Sequence, residues 1–141
     1  MQELIQQLSE VRHSPRLWFE RLTLFRDAGP DHILRTVTFR RGLNIVWAKE
    51  PVAGSASGVR AAGHGVGKTS LCLLLRLCLG DTAKAVSEVR EELFGEFPQG
   101  GVAAVLHVED QVFTLFRHFN TYKEGIALEG DDINALWVEE T

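Results

Sequence analysis

The sequence predicts an α/β domain in which a buried strand leads through a glycine-rich loop into a buried helix, with antiparallel strands beside them. The run LNIVWA, residues 43–48, is compact and apolar, as is typical of a strand covered on both faces. The run TSLCLLLRLCL, residues 69–79, is apolar on nearly every helical face and predicts a buried helix. Two strand-like runs, residues 102–108 and 112–119, flank a polar turn and indicate a hairpin.

The size and composition of the chain predict one globular domain. It has 141 residues, of which 45% are apolar and 24% charged, and this balance excludes an intrinsically disordered protein. The longest apolar run, residues 71–75, is far shorter than the roughly 18 residues of a membrane span, so we expect no membrane partner. The first ten residues, MQELIQQLSE, lack the basic start and apolar stretch of a secretory signal, which predicts a cytoplasmic location.

The net charge of −4 conceals an asymmetry along the chain. Residues 1–76 carry a net charge of +5 and residues 77–141 a net charge of −9. A basic first part suits an anionic ligand. Its arginines either face DNA, a possible partner, or form the ordinary exposed face of a sheet; they are Arg12, Arg16, Arg21, Arg26, Arg35, Arg40 and Arg41.

The elements before the glycine-rich loop follow from periodicity and turn residues. Residues 1–15 predict a short amphipathic helix that ends at a Ser-Pro pair. Residues 16–48 predict strands at 16–26, 33–39 and 43–48, the last two separated by an Arg-Arg-Gly turn. Residues 49–61 have no periodicity and predict an inserted loop, and residues 62–80 hold the glycine-rich motif and its helix.

Residues 81–141 predict a helix, a hairpin and a tail. The helix spans residues 83–94, with Val86, Val89 and Leu93 inside and its charged residues, Arg90 among them, outside. In the tail, residues 126–128 and 133–138 are candidates for short strands or edge pieces. Cys72 and Cys78 lie in the predicted helix at residues 69–79. They are predicted to be reduced core residues on different faces of it, so that they cannot form a disulfide.

The strongest chemical signal is the motif AGHGVGKTS, residues 62–70, between the predicted strand and helix. It fits the phosphate-loop pattern Gly-x-x-x-x-Gly-Lys-Ser/Thr with alanine in the first position. Glycines allow successive backbone amides to turn toward phosphate oxygens, Lys68 reaches the outer phosphates, and the Thr69 hydroxyl ligates Mg²⁺. The predicted ATP-binding residues are Gly63, His64, Gly65, Val66, Gly67, Lys68, Thr69 and Ser70. For His64, a solvent-facing loop position remains an alternative to a direct nucleotide contact.

The order of elements resembles the first half of the ATPase head of the SMC, RecN and RecF group within the ABC superfamily of P-loop NTPases. The specific part is the pairing of RRGLNIV with GVGKTSLCLLLRLCLGD, followed by the hairpin VAAVLHVEDQVFTLFRHF. The resemblance covers roughly residues 17–119. It implies ATP and Mg²⁺ as cofactors, a role in DNA maintenance or defence, and completion by a second half of the head and a second head. This sequence departs from the group in the inserted loop, residues 49–61, and in lacking the second half.

Hydrolysis in this class needs a magnesium-binding acid after a second buried strand, a glutamate that positions water, and a signature from a partner head. None is visible, so we expect no catalytic residue and no turnover by this chain alone. Weak candidates for the acid are Glu109 and Asp110 in the hairpin turn, and Asp131 and Asp132 in the tail. The alternatives to an ATPase lobe are a small-molecule P-loop kinase and a nucleotide-gated interaction module.

The inserted loop, residues 49–61, has a composition that predicts how mobile it is and where it lies. Little in its sequence, rich in Ala, Gly and Ser, offsets the entropy of holding it in one conformation, so it is predicted to be mobile without ligand. We expect it beside the nucleotide, where Lys49 or Arg60 meets phosphate or a partner head. A passive exposed insertion is the alternative.

Overall fold

The computed structural model describes residues 15–47 and 67–137 and contains a mixed α/β arrangement built on a five-stranded antiparallel sheet. The strands are β1 (Leu17–Phe25), β2 (Ile33–Thr38), β3 (Gly101–Val108), β4 (Gln111–His118) and β5 (Ile126–Glu129), in the order β2-β1-β3-β4-β5. The helices are α1 (Lys68–Cys78) and α2 (Lys84–Glu96), with 3₁₀ helices at Pro30–His32 and Ile133–Trp137. None of the helices described in these two ranges has the length and apolarity to cross a membrane.

Different elements cover the two faces of the sheet, which we call the helix face and the 3₁₀ face. On the helix face, α1 and α2 pack on β1 and β3 around a core of Leu22, Leu74, Leu77, Cys78, Val86, Val102, Ala104 and Phe119. On the 3₁₀ face, the short helix Ile133–Trp137 covers a smaller core of Phe25, Ala103, Phe116 and Leu136. Alternate side chains of β1 and β3 therefore point into two different cores, one on each face of the sheet.

The register of the sheet decides which side chains share a face. Leu24 of β1 lies opposite Arg35 of β2 and Val102 of β3, so these three positions belong to the helix face. Ala103 lies opposite Phe116 on the 3₁₀ face. The hairpin predicted from residues 102–119 is confirmed, and its turn places Glu109 at a φ of 55°.

Helix α1 ends as the sequence predicts. Gly80 follows it with a φ of +85°, a backbone conformation that glycine adopts without a Cβ clash, and the Gly80 N–H donates to the Leu77 carbonyl. Asp81 then accepts from the Ala83 N–H at 2.8 Å and from the Arg76 guanidinium. The bond from Ala83, followed by the one from Arg76, holds the pKa of Asp81 below its usual range. This end of α1 is therefore closed by backbone and side-chain bonds.

Arg90 was predicted on the outer face of its helix, and this prediction is wrong. Its guanidinium donates to the carbonyl oxygens of His118, Phe119 and Asn120, at distances of 2.7 to 3.3 Å. Partial burial, and then the nearby charge of Arg117, lowers the pKa of Arg90. The side chain is drawn inward because the chain leaving β4 presents three carbonyl groups to it, and a long arginine buries its apolar stem on the way.

The predicted doubly buried strand at residues 43–48 is also corrected by the structure. Residues 43–47 form no strand, and the side chains of Leu43, Ile45, Val46 and Trp47 are between 51% and 82% exposed. The Asn44 side chain accepts from the Arg40 N–H and donates to the carbonyls of Arg40 and Gly42, which fixes a turn. A strand buried on both faces needs neighbouring strands and covering layers, and the part of the chain described here places none beside this segment. All strand pairs among the described residues are antiparallel.

Two smaller predictions are corrected as well. Residues 133–137 form a 3₁₀ helix where a short strand or edge piece was expected, because Asp132 accepts from the Asn134 and Ala135 N–H groups and closes a helical turn. Cys72 is exposed, whereas Cys78 is buried, so only one of the two cysteines belongs to the core. Both are free thiols, as predicted. The predicted helix at residues 1–13 and the inserted loop lie outside the described residues.

The two cysteines should react differently with a thiol reagent. Burial raises the pKa of the Cys78 thiol to about 12, whereas Cys72 is exposed on α1. At about pH 8, Ellman's reagent should therefore modify Cys72 alone in the folded chain and both thiols in denaturant. The variant Cys72→Ser should lose the native reaction. Rapid modification of both thiols in the folded chain would contradict this packing of α1.

Candidate functional site

The amino end of α1 is the part of the predicted phosphate loop that the structure describes. Gly67 has a φ of +75° and a ψ of 14°, a left-handed conformation that side chains disfavour, and it forms the N-cap of α1. No side chain caps this end, and the first intrahelical bond runs from the Leu71 N–H to the Gly67 carbonyl at 2.8 Å. The amides of Lys68, Thr69 and Ser70 therefore precede the helical bonding pattern and add to a positive helix end.

A cleft of about 240 Å³ lies against this helix end, on the helix face of the sheet. Lys68 and Ser70 line it from the first turn of α1, and Arg35 lines it from β2. Its floor is apolar and is formed by Leu24, Val37, Val46, Leu71 and Leu74. Two cations, a hydroxyl and a helix amino end thus converge on one small space, which is an arrangement suited to a phosphate group.

Lys68 and Arg35 are available to bind an anion. Within residues 15–47 and 67–137, neither side chain forms an ion pair with a carboxylate, and both residues are exposed. The ion pair between Arg76 and Asp81 lies at the other end of α1, so it leaves the positive amino end unneutralised. The cleft therefore has an excess of positive charge.

A second cleft of about 500 Å³ adjoins the first one. Val37 and Val46 line both spaces, and the second is bounded further along the chain by Arg40, Asn44 and Trp47. Trp47 is 82% exposed and presents most of its indole to solvent. An apolar surface with an aromatic ring and an amide thus continues from the phosphate-sized cleft, and together the two spaces fall within the usual volume of a small-molecule site.

Two of the four acidic residues that were weak candidates for a magnesium ligand form other contacts, and the other two lie in the hairpin turn. Asp131 pairs with Arg21, and Asp132 caps the 3₁₀ helix Ile133–Trp137. Arg21 alternates with Leu22 along β1 and belongs to the 3₁₀ face, so both aspartates lie across the sheet from α1. Glu109 and Asp110 form the turn between β3 and β4. The described residues contain no group of three His, Cys, Asp or Glu side chains that could hold a metal ion.

The predicted nucleotide-binding residues divide into two sets. Gly67, Lys68, Thr69 and Ser70 lie at the amino end of α1, as expected from their position before an apolar helix, and Thr69 is exposed in the first turn. Gly63, His64, Gly65 and Val66 lie outside the described residues, as do Lys49 and Arg60. The magnesium role of Thr69 stays a prediction.

Sequence reasoning missed Arg35 as a site residue and counted it among arginines on an exposed sheet face. Its place in the same cleft as Lys68 depends on the pairing of β2 with β1 and on the position of the amino end of α1 on the helix face of the sheet. The alternation of β2 was visible in the sequence, but the identity of the helix above it was not. Arg21 and Arg35 lie on opposite faces of the sheet, so the predicted arginines do not form one basic surface.

Comparison with known proteins supplies no family for this chain. No family model, curated protein or solved structure matches it. The features of this chain that indicate a function are therefore its glycine-rich motif, the amino end of α1 and the cleft beside it.

Proposed function

We propose that this chain binds ATP, with the phosphates at the amino end of α1, as one lobe of an ATPase head similar to those of the SMC, RecN and RecF group. The observation that carries the proposal is the convergence of Lys68, Ser70 and Arg35 on one cleft at an uncapped helix end. The sequence motif supplies the specificity for a nucleotide, since its spacing is that of a phosphate loop.

The polyphosphate occupies the cleft of about 240 Å³ in this proposal. Lys68 of α1 and Arg35 of β2 both contribute positive charge to the phosphates, and the α1 amides complete the anion site. Thr69 and the phosphate oxygens would hold Mg²⁺, which shields the phosphate charge when bound. The nucleoside extends toward Asn44 and Trp47, where an exposed indole is a suitable platform for a purine ring.

The exposed segment at residues 43–47 supports a further part of the proposal. Its four large apolar side chains are more exposed than is usual for one short stretch, and contiguous patches of this kind mark interaction surfaces. We assign Leu43 and Ile45 of this segment, which the nucleoside does not use, to contact with the second half of the head or with a second head. The same observation favours the alternative of a nucleotide-gated interaction module, in which ATP orders the surface without being hydrolysed.

Calorimetry with ATP in the presence and absence of Mg²⁺ tests the proposal. The chain should bind ATP saturably, and Arg35→Met should weaken binding by roughly fivefold, because one exposed charge-assisted contact is lost. Phosphate release by the purified chain should stay at background. Arg41→Met is the matched control, since this exposed arginine lies outside the residues that line the cleft.

The outcomes separate the alternatives. Absence of ATP binding, or equal losses in Arg35→Met and Arg41→Met, would contradict the assignment of the cleft. Turnover that is lost in Lys68→Ala would favour a kinase or a self-sufficient ATPase instead of an incomplete lobe.

A further inference from the structure

A second cavity lies on the 3₁₀ face of the sheet, across β1 and β3 from the proposed ATP site. Its volume is about 450 Å³, within the range of small-molecule sites. Five parts of the fold contribute to it: the loop after β1, the loop before β3, the end of β4, β5 with its preceding loop, and the 3₁₀ helix Ile133–Trp137. Its lining residues are Ala28, Gly29, Gln99, His118, Lys123, Ile126, Leu128, Ala135, Leu136 and Trp137.

Most of the cavity wall is apolar and is backed by an aromatic cluster. The Trp137 ring meets the rings of Phe25 and Phe116 edge to face, with both centroid distances at 5.2 Å. Phe25 and Phe116 are fully buried, which fixes the position of the indole against the sheet. Ile126 and Leu128 of β5 add aliphatic surface. The wall is therefore rigid and suited to an apolar ligand body.

Two hydrogen-bond donors belong to residues that line the cavity: the Trp137 indole N–H and the Lys123 ammonium. The indole Nε1–H of Trp137 is buried and has no acceptor within the part of the chain that the structure describes. Because Trp137 lines the cavity, the resonance of this buried indole N–H reports on a ligand that packs against the ring. Among residues 15–47 and 67–137, the Lys123 ammonium donates to the Gln99 amide oxygen alone, at 3.5 Å. None of the described residues that line this cavity is an Asp or a Glu.

We infer that this cavity binds a small organic anion, specifically a carboxylate attached to an aromatic or aliphatic body. The body packs on Trp137, Ile126 and Leu128, and the carboxylate accepts hydrogen bonds from donors at the cavity wall, with Lys123 supplying the charge. A cation as ligand is disfavoured because lysine is the only fully charged residue among the lining side chains named above. The site is separate from the proposed ATP site, so each can fail without the other.

Proton–nitrogen correlation spectra of the full chain test this inference through the indole resonance of Trp137, assigned with Trp137→Phe. The probes are phenylacetate, 4-phenylbutyrate and hexanoate, compared with 2-phenylethanol, which has the aromatic body without the charge, and with acetate. At least one of the three carboxylates should shift the Trp137 resonance saturably below about 10 mM, whereas acetate and 2-phenylethanol should not. The same response should persist in Lys68→Ala.

Two lysine variants decide whether the charge matters. Lys123→Met should weaken carboxylate binding by roughly tenfold, whereas Lys84→Met, which changes a 91% exposed lysine on α2, should leave it unchanged. The inference is overturned if none of the three carboxylates shifts the indole resonance, if 2-phenylethanol binds as tightly as phenylacetate, or if both lysine variants behave alike.

Discussion

Replacing Lys68 with alanine should lower the affinity of the chain for ATP by about 100-fold, the largest loss expected from any single substitution at the site. Lys68 is the first residue of α1 and lines the cleft together with Arg35, and the proposal places its ammonium against the phosphates there. The folded structure should be unaffected, because the side chain is exposed and belongs to neither core cluster. Calorimetry measures the affinity, and circular dichroism in urea measures the stability.

Lys84→Ala is the control for this experiment. Lys84 is likewise the first residue of a helix and is exposed, but it pairs with Glu88 and does not line the cleft. The two variants therefore change the same type of charge at equivalent positions of α1 and α2. Equal ATP affinity in Lys68→Ala and the unaltered chain would refute the phosphate site. A loss of stability in Lys68→Ala would show that α1 is anchored differently from the arrangement described above.

Much of the fold could be predicted from the sequence, because local periodicity determines its elements. The hairpin was visible because apolar residues recur on both sides of the turn at Glu109 and Asp110. The helix ending at Gly80 was visible because glycine favours the left-handed conformation that closes a helix. In both cases the decisive interactions join residues that are close in sequence.

Local periodicity was not sufficient to predict the structure of residues 43–48, where a buried strand was expected. Its composition indicates burial, but burial on two faces is supplied by other segments, and the sequence of a strand does not specify which segments these are. Around it, Asn44 bonds to Arg40 and Gly42 and favours a turn. Cys72 illustrates the same limit, since an apolar helix exposes whichever side its neighbours leave uncovered.

Residues of the candidate site that are adjacent in sequence could be predicted, whereas those brought together only by packing could not. The position of Lys68, Thr69 and Ser70 at the start of a helix could be predicted because the phosphate-loop motif is a local pattern; their role as nucleotide ligands stays a prediction. Arg35 was missed because it joins them only through the pairing of β2 with β1. The cavity beside Trp137 was invisible for the same reason, since its wall comes from five separate segments.

The glycine that begins β3 should be the position where adding one methyl group destabilises the fold most. In Gly101→Ala, the new Cβ would lie 2.7 Å from the Arg117 carbonyl oxygen and closer still to the ring of Phe116. Neither neighbour has room to move, because Gly101 pairs with β1 at Phe25 and with β4 at His118. The Phe116 ring is itself held between Phe25 and Trp137.

We expect Gly101→Ala to lower the free energy of unfolding by about 3 kcal/mol, at the upper end of the effect of overpacking. Urea unfolding followed by circular dichroism measures the change. Gly95→Ala is the matched control, since Gly95 lies in α2 and a Cβ there meets no atom within 4 Å outside its own helix. That variant should gain roughly 0.5 to 1 kcal/mol, because alanine has less conformational freedom to lose in a helix. If Gly101→Ala were as stable as the unaltered chain, β3 could not be held between β1 and β4 at this residue, and the central pairing of the sheet would have to be revised.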